Sequence, residues 1–157
     1  MIIRKATVDE AAEIMNLHNN AVLALCRDDY APEQLQGWVN ASSLEKYQQR
    51  LEKHRSFAAE LSGELIGYIR WNPDTYELCS VFVLPDYARL GVATQLMDVA
   101  EKEAISMGVN EMWLDASLTA VPFYDATGWE YVEQTMHGQL ECVKMTKQLS
   151  GCHEKDA

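Results

Sequence analysis

Arg89, Gly91 and Ala93 stand close together in the run Val83-Leu84-Pro85-Asp86-Tyr87-Ala88-Arg89-Leu90-Gly91-Val92-Ala93-Thr94-Gln95-Leu96, where an apolar strand ends, a turn follows and a helix begins. Small residues at such an entry let backbone approach a ligand closely, and the first N–H groups of a helix have no internal partner. Those donors and the helix dipole favour a phosphate, and Arg89 adds a cation beside them. The alternative is a plain strand–helix turn in which Gly91 only makes the bend. The run is not a P-loop, because no Gly-Lys-[Ser/Thr] follows, and it lacks the G-x-G-x-x-G of a dinucleotide fingerprint.

Other reactive residue types are dispersed. Cys26, Cys79, Cys142 and Cys152 form no C-x-x-C pair, and no histidine stands at metal-ligand spacing from them. They read as reduced thiols, and no metal is expected. His18, His54 and His137 have no carboxylate or cysteine partner nearby in sequence and read as surface or capping residues. Trp38, Trp71 and Tyr76 could line a site, although large aromatics more often fill core.

The chain holding these residues has 157 residues and a formal net charge of −11. Its length suits one domain. Its acidity repels phosphate backbones and anionic membranes, so no nucleic acid and no membrane is expected as partner. No apolar run is long enough to span a bilayer, and residues 1–7 lack the apolar region of a signal peptide. A cytoplasmic location is expected.

The period of the apolar residues supplies the scaffold. Residues 2–6 read as a first strand. Thr7 and Glu10 form a capping box opening a helix whose stripe includes Ala11, Ile14, Leu17, Val22 and Leu25. Pro32 starts a second helix, and Ser42 or Ser43 caps a third. Residues 56–61 and 64–71 read as a hairpin about Ser62-Gly63, and residues 76–84 as a strand. A long helix then runs from Gly91 through Met107. Residues 109–117, 129–135 and 139–147 are further strands, with a short helix over 118–127. This order implies an α/β domain over 1–149, with one mixed sheet and helices on both faces. A frayed tail is expected over 150–157.

Two segments carry a resemblance to a known family. Ala88-Arg89-Leu90-Gly91-Val92-Ala93 is similar to the [Q/R]-x-x-G-x-[G/A] motif of the GNAT superfamily of N-acetyltransferases, with Ala88 in place of the leading Gln or Arg. Ala120-Val121-Pro122-Phe123-Tyr124-Asp125-Ala126-Thr127-Gly128-Trp129 resembles the family's A-x-x-[F/L]-Y-x-x-x-G-[F/W]. The motifs stand in family order, and the resemblance covers residues 2–147. It implies a mostly antiparallel central sheet with two splayed parallel strands, residues 76–84 and 109–117.

The resemblance also implies acetyl-CoA as co-substrate and a primary amine of a small molecule or peptide as acceptor. Backbone groups of Phe82 and Val83 would pair with the pantetheine arm, and a backbone N–H near Val83 would polarise the acetyl carbonyl. Ala88, Arg89, Leu90, Gly91, Val92, Ala93 and Thr94 would form the pyrophosphate cradle, and Ser117 would add a hydroxyl. Tyr124 would be the general acid to the leaving thiolate; the alternative is packing against Phe123. Glu77 is the candidate base, with Asp115 or water as rivals and an exposed strand-end carboxylate as the plain reading. Asp28, Asp29 and Tyr30 lie in the loop that would shape the acceptor pocket, or form a solvated turn. A non-catalytic acyl-CoA-binding sensor on the same fold is the second reading. Oligomeric state, a homodimer included, stays open.

Overall fold

The computed structural model describes residues 1–149, so the tail expected over 150–157 lies outside the described residues. The strands are β1 (Ile2–Lys5), β2 (Arg55–Leu61), β3 (Glu64–Trp71), β4 (Leu78–Val83), β5 (Glu111–Ser117), β6 (Glu130–His137) and β7 (Leu140–Gln148). The helices are α1 (Ala11–Leu25), α2 (Pro32–Asn40), α3 (Leu44–Lys53), α4 (Val92–Ser106) and α5 (Val121–Ala126). Elements and order follow the sequence reading, with ends shifted by a few residues.

Local chemistry explains the helix starts. Glu10 turns back to accept the Thr7 N–H at 2.9 Å and also holds Arg4 at 2.7 Å, tying β1 to the entry of α1. Pro32 occupies the first turn of α2, where a missing N–H costs nothing. Ser43 Oγ accepts the Lys46 N–H at 3.3 Å and caps α3. Along α1 the stripe of Ala11, Ile14, Leu17, Ala21 and Val22 is buried, whereas Leu25 is exposed at the last turn.

The expected single sheet is divided. β1-β2-β3-β4 form one antiparallel sheet and β5-β7-β6 another. They touch in a parallel bridge between Glu77 and Trp113, just ahead of β4. Trp113 fixes that point twice: its backbone N–H reaches Tyr76 O at 3.3 Å and its indole N–H reaches Thr75 O at 3.0 Å. Beyond it no ladder joins β4 to β5 among the described residues, so the two strands splay.

Strand alternation sends residues to two cores. Phe57, Ala59, Ile69, Val83, Leu96, Ala100, Leu114 and Tyr124 belong to the core under α4. Ala58, Tyr68, Ile14, Leu17, Tyr47 and Leu51 form the core under α1 and α3, on the opposite face. Gly67 sets how closely α4 lies on β3: a Cβ there would meet Val92 Cγ1 and Leu96 Cδ1 at 3.1 Å and Phe82 O at 3.3 Å. Without a side chain, the start of α4 seats against the end of β4.

A third cluster fastens the loop after α1 to the second sheet, joining Val22, Cys26, Tyr30 and Leu35 to Leu140 and Cys142. The buried Tyr30 hydroxyl accepts the Leu118 N–H at 2.9 Å and donates to Glu141 O at 2.6 Å.

Candidate active site

The cradle residues fall where a strand hands over to a helix. β4 ends at Val83, residues 85–87 make one tight helical turn, and Gly91 caps α4 with φ 85°. Arg89 is also left-handed, with φ 64°, and is exposed. The first helical bond of α4 is Gln95 N–H to Gly91 O, 3.1 Å, so the N–H groups of Val92, Ala93 and Thr94 precede the ladder. Nothing lies within 4 Å of a Cβ built on Gly91. Its left-handed φ favours glycine, and the room beside it leaves the donors approachable.

β4 leads into this cradle with one edge open. Leu84 N–H bonds Ile66 O at 2.9 Å, and Phe82 pairs in register with Tyr68. Antiparallel alternation therefore turns the backbone groups of Phe82 and Leu84 toward β3, and those of Val81 and Val83 toward the gap beside β5. This corrects the backbone role expected of Phe82, which the ladder already uses. The free edge belongs to Val83 and to Val81. Phe82 acts through its ring, stacked 3.9 Å from that of His18.

Glu77 sits at the apex of the splay. Burial, and then the charge of Asp115, push its carboxyl above the usual range, making it a stronger base than a surface carboxylate. Asp115 is half-buried on β5, two residues beyond the bridge. Tyr124, on α5, is 7% exposed and packs edge-on against Phe123 and Trp129, with ring centroids 5.3 and 5.9 Å away. Burial raises its phenol, so the hydroxyl stays protonated. Ser117 ends β5, and its Oγ accepts the Ala120 N–H at 3.2 Å ahead of α5.

The residues expected near the acceptor divide. Both hydroxyl bonds of Tyr30 go to backbone, and Asp29 accepts from Thr119 Oγ1 at 2.7 Å, so both fasten the loop. Asp28 is exposed. Trp71 is fully buried and donates to Glu103 at 2.9 Å, while Tyr76 is exposed. Cys26, Cys79 and Cys142 are free thiols, and no cluster suited to a metal occurs among the described residues.

His18 is neither surface nor cap. It is 6% exposed, its Nδ1 bonds the Tyr47 hydroxyl, and its ring is edge-on to Trp38. Burial, then the charges of Arg50 and Arg70, hold it down at about 4, so it is neutral at pH 7. His54, expected at the surface or as a cap, is the C-cap of α3, is half-buried and accepts from Arg70 at 2.7 Å. His137 is exposed at the end of β6. This polar group of His18, Arg50, His54 and Arg70 was not foreseen; a charged residue inside the apolar run of β3 was its one signal in the sequence.

A split sheet with an open β4 edge running into a glycine-capped helix defines the class, and comparison agrees. Residues 26–149 match the model of the acetyltransferase (GNAT) domain, so the chain belongs to the GNAT family and is an N-acetyltransferase. It is 26% identical over 140 residues to the uncharacterized N-acetyltransferase YafP of Escherichia coli (strain K12), across 89% of this chain and 86% of that protein. A GCN5-related N-acetyltransferase from Rhodopseudomonas palustris is similar in structure, with TM-score 0.88, 28% identity, and 94% of this chain and 95% of that one covered. The PaiA N-acetyltransferase of Thermoplasma acidophilum, solved with coenzyme A, shares the fold with TM-score 0.83 and 19% identity over 94% of this chain and 98% of that one.

Proposed function

We propose that this chain moves acetyl from acetyl-CoA to a primary amine of a small molecule or peptide by direct attack. The observation that carries the reading is the free β4 edge of Val81 and Val83 continuing into the approachable N–H groups of Val92, Ala93 and Thr94. An extended pantetheine arm fits such an edge as an added strand, and a pyrophosphate fits the helix start. The coenzyme A complex of the Thermoplasma relative supports the same ligand class. Arg89 and the backbone of Ala88, Leu90 and Gly91 complete the cradle, and Ser117 keeps a hydroxyl proton to offer.

Bound there, acetyl-CoA supplies an activated acyl group. The Val83 N–H, aimed into the gap, polarises the acetyl carbonyl. Glu77 takes a proton from the incoming ammonium, directly or through a water, and its raised basicity suits that task. Tyr124 keeps its proton at neutral pH and delivers it to the departing sulfur. Asp28 is free to meet a cationic acceptor. The free thiols fit the cytoplasm.

The test is turnover of acetyl-CoA by the purified chain against an amine panel, with acetylated products read by mass spectrometry. Acetyl-CoA binding without any acetylated amine would make the protein an acyl-CoA sensor instead.

A further inference from the structure

Two arginines lie beneath the β3–β4 face with no ion-pair partner among the described residues. Arg70, on β3, is 7% exposed. It donates through Nη1 to His54 Nδ1 at 2.7 Å and through Nη2 to Ser80 Oγ at 3.3 Å, both uncharged acceptors. Its Nε is buried with no partner. Arg50, on α3, is half-buried, donates to Ser42 Oγ at 3.3 Å and lies 5.4 Å from the centre of the Tyr47 ring. Burial, and then the positive charge of Arg70, holds the Arg50 guanidinium low.

Acidic residues are abundant in this chain, 24 against 13 basic ones, yet among the described residues none forms an ion pair with either guanidinium. The ion pairs among the described residues engage Arg4, Lys5, Arg55, Lys102 and Lys147. A buried unpaired charge such as that of Arg70 is strongly unfavourable. A second buried atom is unsatisfied in the same core: His18 Nε2 has no partner. Ser80 and the Phe82 ring share this face, opposite α4 and its cradle. Glu77, at the apex of the splay, feels the charge of Arg70.

Resting on the acetyltransferase reading above, we infer that the acceptor carries a carboxylate, held by Arg70 and Arg50, and that its amine points to Glu77. A guanidinium with free N–H groups matches a planar carboxylate, and the free Nε of Arg70 lacks such an acceptor. The acceptors are thus amino-acid-like molecules that enter from the α1–α3 face, while the cradle lies toward α4. Such acceptors are zwitterions with no net charge, so the negative surface does not repel them, and the cationic pair selects the carboxylate end once inside.

The first arm of the test compares kcat/KM of the full chain with acetyl-CoA and L-amino acids, each as free acid and as α-amide. The amide's more readily deprotonated amine biases the comparison against the proposal. The free acid should be preferred about 10- to 100-fold in at least one pair. Arg70→Gln and Arg50→Gln should each bring that ratio toward one while leaving the thermal shift with acetyl-CoA intact. Amides accepted as well as acids, or a ratio surviving both substitutions, overturns the proposal. If the Arg70 variant fails to fold, Arg50→Gln decides.

The second arm needs no turnover. Malonate titrated into the wild-type chain against chloride, at constant ionic strength, should move the Nε–H NMR signals of Arg70 and Arg50. Silent signals overturn the site whatever the first arm gives. Malonate binding without any acetylated amine sinks the enzyme reading and leaves the anion site; amides acetylated as well as acids does the reverse.

Discussion

Glu77 and Trp113 form the rung at which the two sheets of this chain meet, and it is a parallel one between otherwise antiparallel sheets. From that rung β4 and β5 diverge, so a carboxylate stands at the root of the gap in which the acetyl group would be transferred.

Glu77→Gln should abolish most turnover while preserving the fold, because the amide keeps the size and loses the basicity. A general base of this kind contributes about 10²–10⁴-fold. In the wild type, the acid limb of the kcat/KM profile should lie above the usual carboxylate range, as burial and Asp115 raise Glu77. A variant with near-normal rate and an unchanged acid limb would transfer the role to Asp115 or water.

Tyr124→Phe should lower kcat by a similar ~10²–10⁴-fold with little change in acetyl-CoA affinity. On the proposed mechanism the phenol proton is needed only as the carbon–sulfur bond breaks, and the remaining ring keeps its contacts with Phe123 and Trp129. A loss confined to cofactor affinity, or a normal kcat, would leave Tyr124 as packing.

Gly91→Glu should erase the thermal stabilisation by acetyl-CoA. Ligand at ~100-fold over its Kd adds about 2.7 kcal/mol to the wild type. The substitution puts negative charge beside the helix-start donors at a residue with φ 85°. Gly91→Ala separates the effects: the space is open, so it should cost only about 1 kcal/mol of backbone strain and retain binding. Equal cofactor shifts in wild type and the Glu variant would place the pyrophosphate elsewhere.

The His18 ring should make the fold acid-labile. Its folded pKa of about 4 lies below the unfolded value of about 6.5. The unfolded chain therefore binds the proton first as pH falls. The stability is complete above about pH 6.5 and is lost progressively toward pH 4, up to about 3 kcal/mol. Urea unfolding at pH 7.5 and pH 5 should show a smaller drop for His18→Gln than for wild type. Parallel drops in both proteins would remove His18 as the cause.

Much of the scaffold was legible because it is local. The Gly91 helix entry, the Thr7–Glu10 box and the strand–helix alternation are written in neighbouring residues, and the two family motifs fixed the rest of the topology. The division of the sheet was not legible from periodicity, since a strand with one free edge carries the same apolar pattern as a paired one. Nor was the edge that Phe82 presents, which depends on the register against Tyr68. The buried polar group was hidden for a related reason: His18, Arg50, His54, Arg70 and Ser80 come from distant stretches of chain and meet only after folding.

The gap between β4 and β5 also bears on how the protein coheres. Each half-sheet has its own backbone ladder, and Tyr30 rivets the loop after α1 to the distal half. The sheet is in effect one strand short, and on the proposed reading acetyl-CoA in the gap would lend the missing main-chain partner. When that metabolite is scarce, the two halves should breathe apart on the timescale of amide exchange, and the bare edge of Val81 and Val83 becomes a surface on which another extended chain can pair. Bound acetyl-CoA would then also guard that edge against mispairing.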